Sequence, residues 1–387
     1  MARPLSLYLH IPFCDWKCTY CDFNSYAGLD DLIPAFTRAL LREIEISGPR
    51  VAGRPVETIF FGGGTPSLLP IADLEQILGR IRDSFGVTEN AEISLEANPG
   101  TVDREKLEAM RGAGINRLSF GVQSFDDAEL KFLTRIHDAE TAMRAYEDAR
   151  AAGFDNINLD FIFGLPGQTQ ESWQHTLDRA IELRPEHLSL YILTVEDNTP
   201  LGHDVARGRV AEADPDFVAG LYESTCGLMS RAGYEQYEIS NWSLPGRQCR
   251  HNLTYWRNGD YLGLGPGAHA HVDGKRFAVV RSPQKYIRTM GIEAGAFPLG
   301  IHEQVEEVSA ADDMADSAWL ALRLNEGLDL QEFAGRHGRE FAEAFPGAAR
   351  YIDEGLLERV DGRLRLTARG RLLSNEVFAA LVGGSPP

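Results

Sequence analysis

The chain has 387 residues, 43% of them hydrophobic and 25% charged, the balance of an ordinary globular protein, and its length predicts two or three domains around a large buried core. It carries 38 basic against 57 acidic side chains, a net charge of −19, which argues against a surface that grips nucleic acid or an anionic membrane as a whole. No apolar run is long enough for a membrane span. The N-terminal MARPLSLYLHIPFC, interrupted by His10 and without a small-residue cleavage site, is not expected to be a signal peptide, so a cytoplasmic location is the expectation.

Residues 5–12 (LSLYLHIP) read as an apolar strand bounded by prolines. PAFTRALLREIEI at 34–46 has helical spacing, with Pro34 suited to a first helical position. A buried strand at 56–61 and an amphipathic helix at 71–85 follow, then a strand at 91–98 and a helix at 103–114 that ends in glycines. Residues 116–123 read as a strand, 139–153 as a helix and 156–164 as a strand. TQESWQHTLDRAIEL at 169–183 reads as a helix N-capped by Thr169, and HLSLYILT at 187–194 as a sixth strand.

Six strand–helix alternations predict a parallel sheet with helices outside it. The strands are apolar runs rather than clean alternations, as covered parallel strands are. A closed eight-unit barrel usually needs about 250 residues. The expected α/β architecture is therefore a partial, open (β/α)6 TIM-like barrel over residues 1–240, with a doubly wound sheet as competitor. Either places functional residues at the C-terminal ends of the strands. Residues 241–304, rich in Asn, Gly, Pro, His and aromatics, read as a loop-rich connector. From 305 to 382 helical spacing returns, with RLRLT at 363–367 as a short strand; this predicts a small, mainly helical, winged-helix-like C-terminal domain. That shape often binds DNA, and Arg359, Arg363, Arg365, Arg369 and Arg371 form a local basic cluster. The cluster sits among 15 acidic and 9 basic side chains between 305 and 387, which favours a packing or lid role. The tail GGSPP reads as disordered.

Five cysteines are too few for a disulfide scaffold. Three of them, Cys14, Cys18 and Cys21, form Cys-x3-Cys-x2-Cys directly after the first strand. A closed structural zinc site would need a fourth ligand, Cys226, Cys249 or a histidine. A redox pair of Cys18 and Cys21 leaves Cys14 unexplained. An iron–sulfur cluster normally takes four thiolates, so three would leave one iron open to a substrate or cofactor. The next strand end carries Gly62-Gly63-Gly64-Thr65-Pro66, neither GxGxxG nor Walker A. Consecutive glycines there admit a ligand close to the backbone, or make a tight turn. Glu96, Gln123, Arg135, Asp160 and Thr194 stand at or beyond further strand ends.

The cysteine spacing, with the aromatic Tyr20 immediately before the third cysteine, resembles the radical S-adenosylmethionine (SAM) superfamily. The resemblance implies a partial (β/α)6 barrel and a [4Fe–4S] cluster on Cys14, Cys18 and Cys21 whose open iron chelates SAM. One electron from the cluster then cleaves the sulfonium to a deoxyadenosyl radical. The glycine run resembles the segment that holds the SAM ammonium group through backbone oxygens. From Tyr8 to about residue 380 the chain is similar to the oxygen-independent coproporphyrinogen III oxidase-like family. That similarity implies SAM contacts from Tyr8, Tyr20, Gly63, Gly64, Thr65, Glu96, Gln123, Arg135, Asp160 and Thr194. The family's dehydrogenase can carry a second SAM, which some of these residues would then serve.

Two departures select a branch. Phe23 stands where the dehydrogenase has a further cysteine, and the 13 residues before Cys14 leave no room for that enzyme's N-terminal extension. The CxxxCxxCxF form and the HNxxYW run His251-Asn252-Leu253-Thr254-Tyr255-Trp256 resemble the family's haem-chaperone branch. This implies binding of haem and its delivery to an acceptor such as a respiratory haem protein, with an electron donor as a further partner and a homodimer as a possible state. The rivals are an oxidase that decarboxylates coproporphyrinogen propionates and a radical SAM enzyme with an unrelated substrate. A neutral imidazole ligates haem iron well, so His251 is the candidate haem ligand, against a structural histidine in an aromatic loop; Cys249 is an alternative thiolate. His269 and His271, after a Gly-Pro-Gly turn, read as structural, and Cys226 as a buried core residue.

Overall fold

The computed structural model describes residues 3–292 and 299–383; residues 384–387 of the tail read as disordered lie outside them. Six strands, β1 (Leu5–Ile11), β2 (Pro55–Gly63), β3 (Gly86–Ala97), β4 (Arg117–Gln123), β5 (Ile157–Phe163) and β6 (His187–Ile192), stand side by side in chain order. Each neighbouring pair is parallel. Helices α1 (Ile33–Ser47), α2 (Ile71–Ser84), α3 (Arg104–Ala113), α4 (Asp127–Phe132), α5 (Ala139–Ala151) and α6 (Gln170–Leu183) return the chain between them. This is the partial barrel. Strand order without a reversal excludes the doubly wound sheet, which has a switch point.

Each strand divides its residues between two faces. On β1, Leu5, Leu7, Leu9 and Ile11 are buried in one core with Phe36, Leu40 and Ile44 of α1. Ser6, Tyr8 and His10 alternate with them and meet polar partners inside the barrel. The inner positions of the other strands are polar too: Thr58, Ser94, Ser119, Asn158 and Ser189 are all buried. An interior lined this way is suited to a polar ligand. Thr169 caps α6 as expected, its hydroxyl accepting from the Ser172 amide while the Ser172 hydroxyl accepts from the Thr169 amide.

Residues 241–304, expected to be loop-rich, instead extend the sheet. Helices α7 (Pro200–Ala206) and α8 (Pro215–Arg231) lead to β7 (Glu235–Glu238), and β8 (Asn241–Ser243) joins β7 antiparallel to β6. Helix α9 (Arg250–Trp256) then crosses to the opposite edge, where β9 (Tyr261–Leu264) pairs parallel with β1. Strands β10 (His269–Val272), β11 (Lys275–Val279) and β12 (His302–Glu307) continue antiparallel from it, and α10 (Pro283–Ile292) packs on α1. Twelve strands result. The added strands have three to six residues, too few for a period to register in the sequence.

The C-terminal unit comprises α11 (Ala310–Arg323), β13 (Leu328–Asp329), α12 (Leu330–His337), α13 (Phe341–Ala344), α14 (Ala349–Asp353), β14 (Leu357–Val360), β15 (Arg363–Leu366), α15 (Ala368–Leu372) and α16 (Ser374–Leu381). Its three strands lie in the order β13-β15-β14, the winged-helix arrangement, around a separate core that includes Leu322, Phe333, Tyr351, Leu364 and Phe378. Two of the five clustered arginines are paired, Arg363 with Asp329 and Arg365 with Glu358. Among the described residues no helix is long and apolar enough to cross a membrane.

Candidate functional site

The cysteine loop leaves β1 and is tied down along its length. Phe13–Cys14 pairs with Tyr26–Ala27, and Lys17 Nζ donates to the Phe23 and Ser25 carbonyls at 3.0 and 3.1 Å. The Thr19 amide donates to Thr134 Oγ1 at 3.1 Å. These ties turn Cys14, Cys18 and Cys21 toward one cavity of about 420 Å³. All five cysteines are free thiols. Thr65 Oγ1 donates to Cys14 Sγ and Arg135 Nη1 to Cys18 Sγ, both at 3.5 Å. Burial pushes the Cys14 and Cys21 thiols up, so a metal bound here displaces protons.

The remaining cysteines lie elsewhere. Cys249 is fully buried, donates to Glu92 Oε1 at 3.5 Å and is pushed up to about 12 by burial. Cys226, expected to be buried, is only half-buried on α8, where its thiol meets Gln236 Oε1. Neither lines the cavity, and no described histidine lines it. The zinc alternative therefore lacks the fourth cysteine or histidine it would need, whereas three thiols beside an open space fit a cluster with one uncapped iron.

The opposite wall comes from the strand ends. Gly63 has φ +109, and a Cβ there would strike the His10 ring at 2.5 Å; a Cβ on Gly64 would meet the Phe13 carbonyl oxygen at 2.6 Å. Only glycine brings this backbone so close to the loop. The Gly63 amide donates to Glu96 Oε2 at 3.1 Å. Gln123 ends β4 in the left-handed region, φ +73, which turns its side chain into the cavity. Asp160 accepts from Ser119 at 3.1 Å and Asn158 at 2.8 Å. Arg135 Nη2 donates to the Gly121 carbonyl at 2.7 Å. Tyr20, Gly63, Gly64, Thr65, Glu96, Gln123, Arg135, Asp160 and Thr194 thus share one cavity with the three cysteines. Burial, then the nearby Asp160 carboxylate, pushes Glu96 up to about 8, and burial raises Asp160 as well. A cationic ligand would restore charge to both.

Tyr8 does not join them. Its hydroxyl is bonded to His10 Nδ1 at 3.1 Å, and its ring faces neighbouring cavities behind Gly63 and Glu96. Sequence reasoning missed the mouth of the site, where Trp16 and Phe23 are 58% and 64% exposed and Tyr191 and Ile192 stand nearby. The signal was two aromatics inside a cysteine loop that has no core of its own to fill.

The HNxxYW run occupies helix α9, not a loop. Glu92 of β3 caps that helix, accepting from the Arg250 and His251 amides at 3.0 Å each; sequence reasoning missed this residue. His251 is 1% exposed. Its Nδ1 bonds Thr58 Oγ1 at 2.7 Å, its Nε2 bonds the Tyr255 hydroxyl at 2.8 Å, and its ring stacks on Phe60. Burial and the Arg117 charge push its pKa down to about 3. Both ring nitrogens are therefore spent inside the protein, and the structure does not offer His251 as an iron ligand; the same burial removes Cys249. At the far end of the helix, Trp256 lies 4.4 Å from the Arg323 guanidinium of α11. The motif joins barrel to C-terminal unit.

Residues 8–180 match the Radical SAM superfamily and residues 308–373 the HemN C-terminal domain. The chain is 38% identical to the heme chaperone HemW of Bacillus subtilis, over 98% of this chain and 99% of that one. It is 39% identical to the heme chaperone HemW of Escherichia coli, over 97% of each. Among solved structures it is similar to the coproporphyrinogen III oxidase HemN of Escherichia coli, with a TM-score of 0.86, 25% identity, and coverage of 99% of this chain and 91% of that chain. With so much of both chains aligned at such identity, the protein belongs to the heme chaperone HemW family.

Proposed function

We propose that this protein is a radical SAM haem chaperone, which binds haem and passes it to haem-dependent acceptor proteins. The observation that carries the reading is the convergence of three free thiols and five strand ends on one cavity, in a chain 38–39% identical over nearly its whole length to proteins named heme chaperones. Cys14, Cys18 and Cys21 are the thiolates for a [4Fe–4S] cluster, and the absence of a fourth cysteine at the cavity leaves one iron for SAM. Bound together, the cluster and SAM supply one-electron chemistry. Arg135 offers its guanidinium to the SAM carboxylate. Asp160, held by Ser119 and Asn158, accepts from a ribose hydroxyl, and the backbone at Gly63–Thr65 lies close enough for the ammonium group.

The oxidase reading is weaker: identity to that enzyme is 25% against 38–39%, and Phe23 replaces its additional cysteine. The test is anaerobic. Reconstituted protein loaded with haem should transfer it to an apo acceptor, measured with and without SAM and reductant. Conversion of coproporphyrinogen III to protoporphyrinogen IX would replace this reading with the oxidase.

A further inference from the structure

Beside the thiol-lined cavity lies a second, of about 490 Å³, inside the roughly 300–1,000 Å³ range of small-molecule sites. Phe23, Gly63 and Glu96 line both, so the two share a wall. The second cavity forms where β10 and β11 fold over the barrel edge, and Tyr255, Tyr261 and Val279 give it broad ring and aliphatic surface.

His269 stands at its rim at the start of β10, in register with Ala278. It is exposed, and its imidazole makes no hydrogen bond to any described residue. The other imidazole lining this cavity is spent: His10 uses Nδ1 on the Tyr8 hydroxyl and Nε2 on the Asn24 carbonyl. Arg281 lines the same cavity and donates only Nε, to Asn24 Oδ1 at 3.4 Å, which leaves its terminal nitrogens without a described protein partner. The carboxylate at the rim, Glu303, is paired with Lys285 at 2.7 Å.

A flat apolar ring with two carboxylates on one edge and an iron seeking a nitrogen donor needs these parts: ring-lined walls, a cation and an uncommitted imidazole. We propose that haem binds in this second cavity, with His269 on the iron and Arg281 on a propionate. The proposal rests on the haem-chaperone reading and adds to it a site next to the thiol-lined cavity, so that cargo and SAM share the wall formed by Phe23, Gly63 and Glu96.

The test is titration of the cluster-loaded full-length protein with ferric haem, read at the Soret band. The expected result is a saturable shift in the wild type. His269→Ala should lose that band position and about tenfold in affinity, and added imidazole should restore the band. Arg281→Gln should weaken binding several-fold with the band unmoved, since the propionates lie away from the iron. Retained cluster absorbance and SAM affinity show that each variant is folded. A His269→Ala protein with wild-type band and affinity overturns the site, and undiminished affinity in Arg281→Gln overturns the propionate assignment. A wild type that binds no haem saturably overturns the chaperone reading instead, and the two failures are distinguishable.

Discussion

Arg135 grips the Cys18 sulfur and the Gly121 carbonyl at once, Nη1 lying 3.5 Å from one and Nη2 2.7 Å from the other. One side chain thus ties the cysteine loop to the end of β4 and points its charge at the ligand space. Charge-assisted hydrogen bonds of this kind contribute about 1.5–3 kcal/mol. Arg135→Gln is expected to weaken SAM binding at least about tenfold, and Arg135→Lys to recover it only partly because the planar fork is lost. Equilibrium binding of SAM to reconstituted protein checks this; unchanged affinity in both variants would remove Arg135 from the site.

The five cysteines should separate into two classes. Cys18→Ala is expected to abolish the iron–sulfur absorbance while the far-ultraviolet circular dichroism stays native. Cys249→Ala should keep full iron and sulfide content, because its thiol faces Glu92 and not the cavity. Iron analysis of the two proteins decides, and unchanged iron in Cys18→Ala would refute the cluster assignment.

Two buried carboxyls contribute a pH dependence of definite sign to the protein free of bound SAM. Burial raises Glu96 to about 8 and Glu43 to about 7, from an ordinary 4.5. Between those values the folded chain holds protons on these two groups that the unfolded chain has released, so their contribution to stability falls as pH rises through that window, against the opposite contribution of buried neutral histidines such as His10 and His251. Glu96→Gln and Glu43→Gln should each flatten the slope by up to about 1.4 kcal/mol per pH unit. Denaturant melts of wild type and variants from about pH 5 to about pH 8 measure it, and a slope that neither substitution changes would contradict the assignment.

Helix α9 depends on a residue 158 positions away from its first. Glu92→Ala removes the cap from the Arg250 and His251 amides, and is expected to cost about 2–3 kcal/mol. His251→Ala should lower the melting temperature, since Thr58 and Tyr255 each lose a partner, with the haem Soret band unmoved. A Soret change at constant melting temperature would return His251 to the list of iron ligands.

The barrel was legible because each of its first five strands is followed by a helix long enough to show its period. The cysteine motif was legible because it is local: three ligands within eight residues need no tertiary information. The polar inner face was not. Ser6, Thr58, Ser94 and Asn158 alternate with large aliphatics, and the runs read as uniformly apolar. The surroundings of His251 and His269 were hidden for a related reason. A histidine within an aromatic motif looks like a ligand and one after a glycine turn looks structural; only the fold reveals that Thr58 and Tyr255 occupy the first, while the second has no such partner.

An open barrel leaves two raw sheet edges, each a row of unpaired amides and carbonyls that invites another strand. Here β9 covers one and β8 the other, which moves the edges outward to β12 and to β7, the latter bridged by Leu324 and Asn325. On β12, Glu303, Glu306 and Glu307 are all exposed, Glu303 and Glu307 each beside a lysine, so an incoming strand meets charged side chains rather than an apolar edge. Charges placed there insulate the sheet against edge-to-edge pairing, and replacing those three glutamates with glutamine should leave the fold intact while making concentrated solutions turbid.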